Sequence, residues 1–167
     1  AEIQFQECAD CHEGVETPED VAQIRGVIDG ERDPVDFDGD GDVEEGIASE
    51  VETFYNALRE EIFVYAAETI GTPIVNAGGY PYWFIDTNGN GEADPDETNR
   101  DNAYNQWTPS LLRAIYNLQF ADADAPVGEF SHNAEYMIQV LYDTLLDIGG
   151  EEAVADFTRP EVREMEE

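Results

Sequence analysis

The chain has 167 residues, 41% of them apolar, and sets 40 Asp and Glu against seven Arg and no Lys, a formal net charge of −33. Phosphate recognition runs on clustered cations, so a nucleic-acid partner is excluded. The apolar content excludes disorder of the whole chain, and no uninterrupted apolar run approaches the roughly 20 residues of a membrane span.

At this length one domain with a real core is expected; its bounds are set at residues 1–150, followed by a loosely held acidic tail, 151–167. Charge of this density repels itself unless salt screens it or bound cations neutralise it. That points to a salt-rich habitat or to specific cation sites.

The first residues, Ala1 to Phe5, show neither a basic region nor an apolar run of the kind that opens a secretory signal, so any such signal is expected to have been removed. The alternation Glu2-Ile3-Gln4-Phe5-Gln6 reads as a segment that could add to a neighbour's sheet edge. Cys8-Ala9-Asp10-Cys11-His12 follows, containing the only two cysteines of the chain. This is the attachment spacing of a c-type haem: each thiol can bond one vinyl-derived carbon of the porphyrin edge, and His12 can bring an imidazole nitrogen to the iron as proximal ligand. A zinc site would have to use Cys8, Cys11, His12 and His132, and consecutive Cys11 and His12 reach one small ion together only with difficulty. A redox dithiol would need a thioredoxin-like βαβ setting, of which there is no sign.

Thr17-Pro18-Glu19-Asp20 is a helix start, with Thr as N-cap and Pro at the first position, and the helix is expected to end near Gly26. Asp36-Phe37-Asp38-Gly39-Asp40-Gly41-Asp42 then carries carboxylates at positions 1, 3 and 5 of a calcium loop and glycine at 6. Position 7 (Asp42) would offer its backbone carbonyl. Position 12 is Ile47, so the last ligand must come from Glu44, Glu45 or water. Ile47, Val51, Phe54, Tyr55, Leu58, Ile62 and Phe63 recur at helical spacing, predicting a long helix from Glu44 to Ile70 that Gly71-Thr72-Pro73 stops.

Residues 72–107 read as loop-rich, with short strands at most. Tyr80 to Ile85 is extended, and Asp86 to Glu97 is a second calcium loop that meets the full consensus through Asp86, Asn88, Asn90, Glu92 (by its carbonyl) and Glu97. An acidic, glycine-rich turn without metal is the bland reading of either loop. Calcium, two ions in all, is expected to act as a structural staple, because the extended segment before the second loop does not fit a sensor's paired helices. Thr108-Pro109 starts a helix to about Phe120, residues 122–128 form a linker, and Asn133 to Ile148 is a further helix closed by Gly149-Gly150. The fold class is thus mainly α, a c-type cytochrome with three or four helices, long loops carrying two calcium-binding turns, and little β.

The second histidine, His132, is the candidate distal ligand to the iron. Met137 lies on the apolar stripe of the last helix, Met165 lies in the tail, and an open site is the remaining alternative. The haem motif, Asp36–Gly46 feeding a helix, Tyr80–Glu97, Trp107-Thr108-Pro109 and His132-Asn133 together resemble modules of exported multihaem c-type cytochromes of metal-reducing and related bacteria. The resemblance implies electron transfer along haem chains to extracellular acceptors, with His132 as a distal ligand. This chain departs from it in having one haem motif.

The expected function is an exported, extracellular or periplasmic, monohaem electron carrier with one covalent haem c held by His12 and His132. Its partners would be a redox protein or an extracellular acceptor. A self-associating filament subunit, using residues 2–6, Val154 and Phe157 at the contact, is the second hypothesis. A peroxidase-like haem enzyme with an open iron site is the third, and it lacks an obvious acid–base residue.

Overall fold

The computed structural model describes residues 5–25, 35–121 and 133–161. Among these residues the chain is mainly helical, with one two-stranded sheet. Three long helices make the core: α3 (Ile47–Val64), α4 (Pro109–Phe120) and α5 (Ala134–Gly149), each packed against the other two. Two short helices, α1 (Phe5–Ala9) and α2 (Pro18–Val21), precede them.

Spacing explains the packing. Val51, Phe54, Leu58 and Ile62 fall on one face of α3, and all four are fully buried. Leu111, Ala114, Ile115 and Leu118 do the same on α4, and Met137, Ile138, Leu141, Leu145 and Ile148 on α5. Burying each of the larger side chains stabilises the fold by about 1.5–3 kcal/mol. Thr144, a polar residue inside this seam, is satisfied on both sides: its hydroxyl donates to the Val140 carbonyl (2.6 Å) and accepts from Asn117 Nδ2 on α4 (2.8 Å). The Thr108 side chain caps α4 by accepting from the Leu111 N–H at 3.1 Å.

The long helix begins at Ile47, behind Gly46 as N-cap, rather than at Glu44, and its last six residues, Tyr65–Ile70, widen into a π-helical turn. The Thr72 N–H closes that turn on the Ala66 carbonyl (3.0 Å), and Gly71, at φ 80°, ends it. The chain then forms a hairpin of β1 (Ile74–Asn76) and β2 (Trp83–Ile85), in antiparallel register Ile74↔Ile85, Val75↔Phe84, Asn76↔Trp83. Strand β2 delivers Asp86 directly into the second acidic loop. That loop is closed from behind by Asn102, whose amide donates to the Ile85 and Glu97 carbonyls (2.8 and 2.9 Å).

Two expectations about the ends of the chain are corrected. Phe5 and Gln6 belong to helix α1 rather than to an extended edge, and residues 2–4 of that expected edge lie outside the described residues. Of the expected loose tail, residues 151–161 are described, and these are packed. Residues Glu151–Val154 form a short 3₁₀ turn, Val154 is buried, the Phe157 ring lies 4.4 Å from that of Phe54, and the Thr158 N–H donates to the Phe37 carbonyl at 2.7 Å. Val154 and Phe157 are therefore spent on the chain's own core. The Gln139 amide and the Arg159 guanidinium hold the Pro160 carbonyl and Asp143, respectively, the latter by two bonds of 2.7 Å.

The Arg159 hydrogen bonds keep the Asp143 carboxyl below its ordinary value, burial opposing them. A depressed folded value means stabilisation that is present above the unfolded pKa of about 3.9 and fades as pH falls through the folded one. Both partners are exposed (36% and 52%), so the pair contributes at most about 1 kcal/mol. Asp143→Asn is expected to lower the unfolding free energy by that amount at most near neutral pH. In urea melts the difference from the parent should close as pH falls through the lowered folded value of Asp143.

Candidate haem-attachment segment and cation loops

Helix α1 ends within the cysteine motif. The Cys8 carbonyl accepts from the Cys11 N–H (3.1 Å) and from the His12 N–H (2.9 Å), so the chain continues for one helical turn through His12. Residues three and four apart on such a turn lie on the same helical face, so the backbone places Cys8, Cys11 and His12 on one turn. Both thiols are free, with Cys11 exposed and Cys8 half-buried. Two unbridged thiols and one imidazole on a single accessible turn are the donor set that covalent haem attachment requires. Among the described residues no group of three potential metal ligands within 4.8 Å of one another includes Cys8, Cys11 or His12.

His132 lies outside the described residues, as do Met165 and the 122–128 linker. Met137 is 1% exposed inside the cluster between α3, α4 and α5, where packing accounts for it.

The haem-motif segment is fastened to the first acidic loop. The Ile47 N–H donates to the Ile24 carbonyl (3.1 Å) and Arg25 Nη1 donates to the Glu45 carbonyl (2.9 Å). Gly46 is a close-approach glycine: a Cβ there would stand 2.0 Å from the Ala22 oxygen. On its other side the same loop receives the C-terminal segment, with a Cβ at Gly39 placed 2.1 Å from the Asp156 oxygen.

The two acidic loops fold alike. In the first, Asp36 accepts from the Gly39 and Gly41 N–H groups (2.6 and 2.9 Å), Asp38 from Asp40 (3.2 Å), and Asp40 from Asp42 (2.7 Å). In the second, Asp86 accepts from Gly89 and Gly91 (2.6 and 2.8 Å), Asn88 from Asn90 (2.9 Å), and Asn90 from Glu92 (2.8 Å). The first-position carboxylate thus organises each loop, and glycines at positive φ (79° and 93°, then 73° and 76°) make the bends. Carboxylate oxygens of Asp36, Asp38 and Asp40 come within 4.8 Å of one another. The side chains at position 7, Asp42 and Glu92, are exposed, and Asp42 is engaged by the Glu44 N–H at 2.9 Å.

The closing carboxylates differ. Glu97 is 2% exposed; its Oε1 accepts from the Thr87 N–H and hydroxyl (2.6 and 2.5 Å) and the Asn88 N–H (3.3 Å), while Oε2 is buried without a partner. A buried, unpaired carboxylate oxygen costs several kcal/mol unless a cation meets it, so the residues present fit an ion in the second loop. In the first loop Glu45 Oε1 is likewise buried and unpartnered, and Asp38, Glu45 and Glu50 form a second group of carboxylates within 4.8 Å. Burial, then the neighbouring charges of Asp38, Glu50 and Asp40, push the Glu45 carboxyl above its ordinary range. Burial also raises Glu50, against hydrogen bonds from Arg25, Asp38 and Phe37.

Two candidate residues were missing from the sequence reading. Glu50, fully buried on α3, lies beyond the loop pattern. Asp94, at position 9 of the second loop, accepts from the side-chain amides of Asn88 and Asn90 (2.8 and 2.9 Å). Position 9 is a recognised ligand position, often through water, so the spacing did carry that second signal.

No protein-family model matches the chain, and no solved structure matches it significantly. The chain is similar to the C-type polyheme cytochrome OmcC of Geobacter sulfurreducens, at 28% identity over 109 residues covering 60% of this chain and 13% of that protein. It is similar to the C-type polyheme cytochrome OmcB of two strains of the same species, at 26% identity over 100 residues covering 52% of this chain and 13% of that protein. The chain therefore matches only about an eighth of the length of these curated relatives. The relationship is distant, it is to C-type polyheme cytochromes, and it covers 52–60% of the chain.

Proposed function

We propose that this chain is an exported electron carrier with one haem c bonded to Cys8 and Cys11. In this reading His12 is the proximal ligand, His132 the distal one, and two calcium ions staple the loops at Asp36–Glu45 and Asp86–Glu97. What supports it is the helical turn at the end of α1, in which the Cys11 and His12 N–H groups donate to the Cys8 carbonyl and whose two thiols are unbridged. Similarity to polyheme C-type cytochromes supports it independently.

When bound, the haem supplies a one-electron iron couple. The chain's own part is to hold it. Cys8 and Cys11 would fix the porphyrin edge and His12 would present its imidazole from the same turn, while the Ile24–Ile47 and Arg25–Glu45 bonds fasten the end of the segment that follows to the start of α3 and the first loop. Ligation by two histidines fills both axial positions and favours electron transfer over chemistry at the iron. Covalent attachment implies export, and no described helix is long and apolar enough to cross a membrane. The partner is a redox protein or an extracellular acceptor. Each calcium ion adds two positive charges to a strongly anionic chain, which relieves self-repulsion.

The test is optical. The purified protein should carry one covalent haem per chain with a low-spin spectrum in both oxidation states. His132→Ala should turn the oxidised iron high-spin while leaving the haem attached. A high-spin parent, or an unchanged spectrum in the variant, would remove His132 from the iron.

A further inference from the structure

The first loop lacks a carboxylate at position 12, where Ile47 stands, yet the place is filled. In the second loop, Glu97 at position 12 receives the N–H groups of loop residues two and three, Thr87 and Asn88. In the first loop the equivalent N–H groups, Phe37 and Asp38, donate to Glu50 Oε2 at 2.8 and 2.9 Å. Glu50 stands three residues after Ile47 on α3, a spacing that keeps nearly the same helix face.

The remaining oxygens tell the two loops apart. Glu97 Oε2 is buried and unpartnered, whereas Glu50 Oε1 is met by Arg25 Nη2 at 2.5 Å. The same Nη2 also donates to the Val35 carbonyl. Glu50 in turn belongs to a group of three carboxylates, with Asp38 and Glu45, whose oxygens lie within 4.8 Å of one another, and the buried Glu45 Oε1 has no hydrogen-bond partner. One guanidinium does not neutralise three carboxylates, and a divalent cation is the ligand their chemistry fits.

We propose that Glu50 is the closing ligand of the first calcium loop, and that Arg25 stands on it as an internal counter-ion which calcium must displace. This rests on reading the first loop as a calcium site. It makes the first loop the weaker of two sites, because the ion there competes with a charge already in place. Arg25 lies in the haem-bearing segment, 13 residues after His12, so the competition takes place where that segment meets the core.

Calorimetric titration of calcium into the haem-loaded, chelator-stripped protein tests it. The parent should show a tight and a weak class of site. Glu97→Gln should abolish the tight class, and Glu50→Gln should abolish the weak one and keep the tight one. Arg25→Gln should tighten the weak class roughly tenfold or more. Arg113→Gln, which removes the same charge from α4, should leave both classes within about twofold if the effect is local.

A Glu50→Gln protein that keeps both classes overturns Glu50 as a ligand. Unchanged or weaker binding in Arg25→Gln, or equal tightening in Arg113→Gln, overturns the counter-ion. Should Glu50→Gln fail to fold, Arg25→Gln decides, since every carboxylate remains in it. A parent with a single class, lost in Glu97→Gln, overturns the calcium reading of the first loop itself and is distinguishable from all of these.

Discussion

Phe54→Ala is expected to lower the unfolding free energy by about 3–5 kcal/mol, the usual cost of emptying a fully buried aromatic site. Phe54 is 0% exposed, in the middle of the apolar face that α3 turns to α5. Its ring is tilted 36° against that of Phe157 at 4.4 Å, a pairing that adds about 0.5–1.5 kcal/mol beyond area. The substitution therefore leaves a cavity in the core and removes the anchor of the C-terminal segment together. Chemical denaturation gives the first effect. Hydrogen exchange at the Thr158 amide, which the Phe37 carbonyl protects in the folded chain, gives the second. Leu112, on α4 and 51% exposed, is the control, and its truncation should stay within about 0.5 kcal/mol. A loss below about 1 kcal/mol at Phe54, or an unchanged Thr158 exchange rate, would contradict this packing.

The helices were legible because their stabilising contacts are periodic. Apolar residues at intervals of three and four mark α3, α4 and α5, and Thr108-Pro109 and Gly149-Gly150 mark their ends. The acidic loops were legible for a different reason: ligand spacing and glycine position are local constraints written in consecutive residues. The cysteine motif was equally local, and the structure adds that Cys8, Cys11 and His12 share one helical turn.

What could not be read is what the tertiary structure supplies. Val154, Phe157 and Pro160 follow no period and stand among acidic residues, so nothing in the chain announces that they pack back on α3, α5 and the first loop. Glu50 looked like one more acid on a helix, and only the fold puts it under the amides of Phe37 and Asp38. The π-helical turn at Tyr65–Ile70 has the same apolar content as the helix it extends, so the residue pattern did not separate them. Helix α1 is five residues long, too short for periodicity to outweigh the alternation at Glu2–Gln6.

On the proposal that both acidic loops hold calcium, removing it should cost about as much as the worst core mutation. At a free concentration a hundred times the dissociation constant, each site stabilises the fold by about 2.7 kcal/mol, so two sites contribute roughly 5 kcal/mol. That is a large share of a typical total of about 5–15 kcal/mol, and for a chain of this size it corresponds to roughly 10–20 °C in Tm. The first loop makes the loss spread. It joins the cysteine-motif segment through Ile24–Ile47 and the C-terminal segment through Phe37–Thr158, with Gly39 pressed against the Asp156 backbone.

Chelation should therefore lower the Tm and also expose Phe157 to chymotrypsin. Two causes are separable. If calcium acts only by neutralising a net charge of −33, about 1 M sodium chloride should replace it, since that salt shortens the screening length to about 3 Å. If it is held by Glu97 Oε2 and Glu45 Oε1, buried oxygens with no other partner, salt cannot replace it. The chelated protein should then stay well below the calcium-loaded one in either buffer. A Tm shift below about 2 °C on chelation at low salt would exclude structural calcium at both loops.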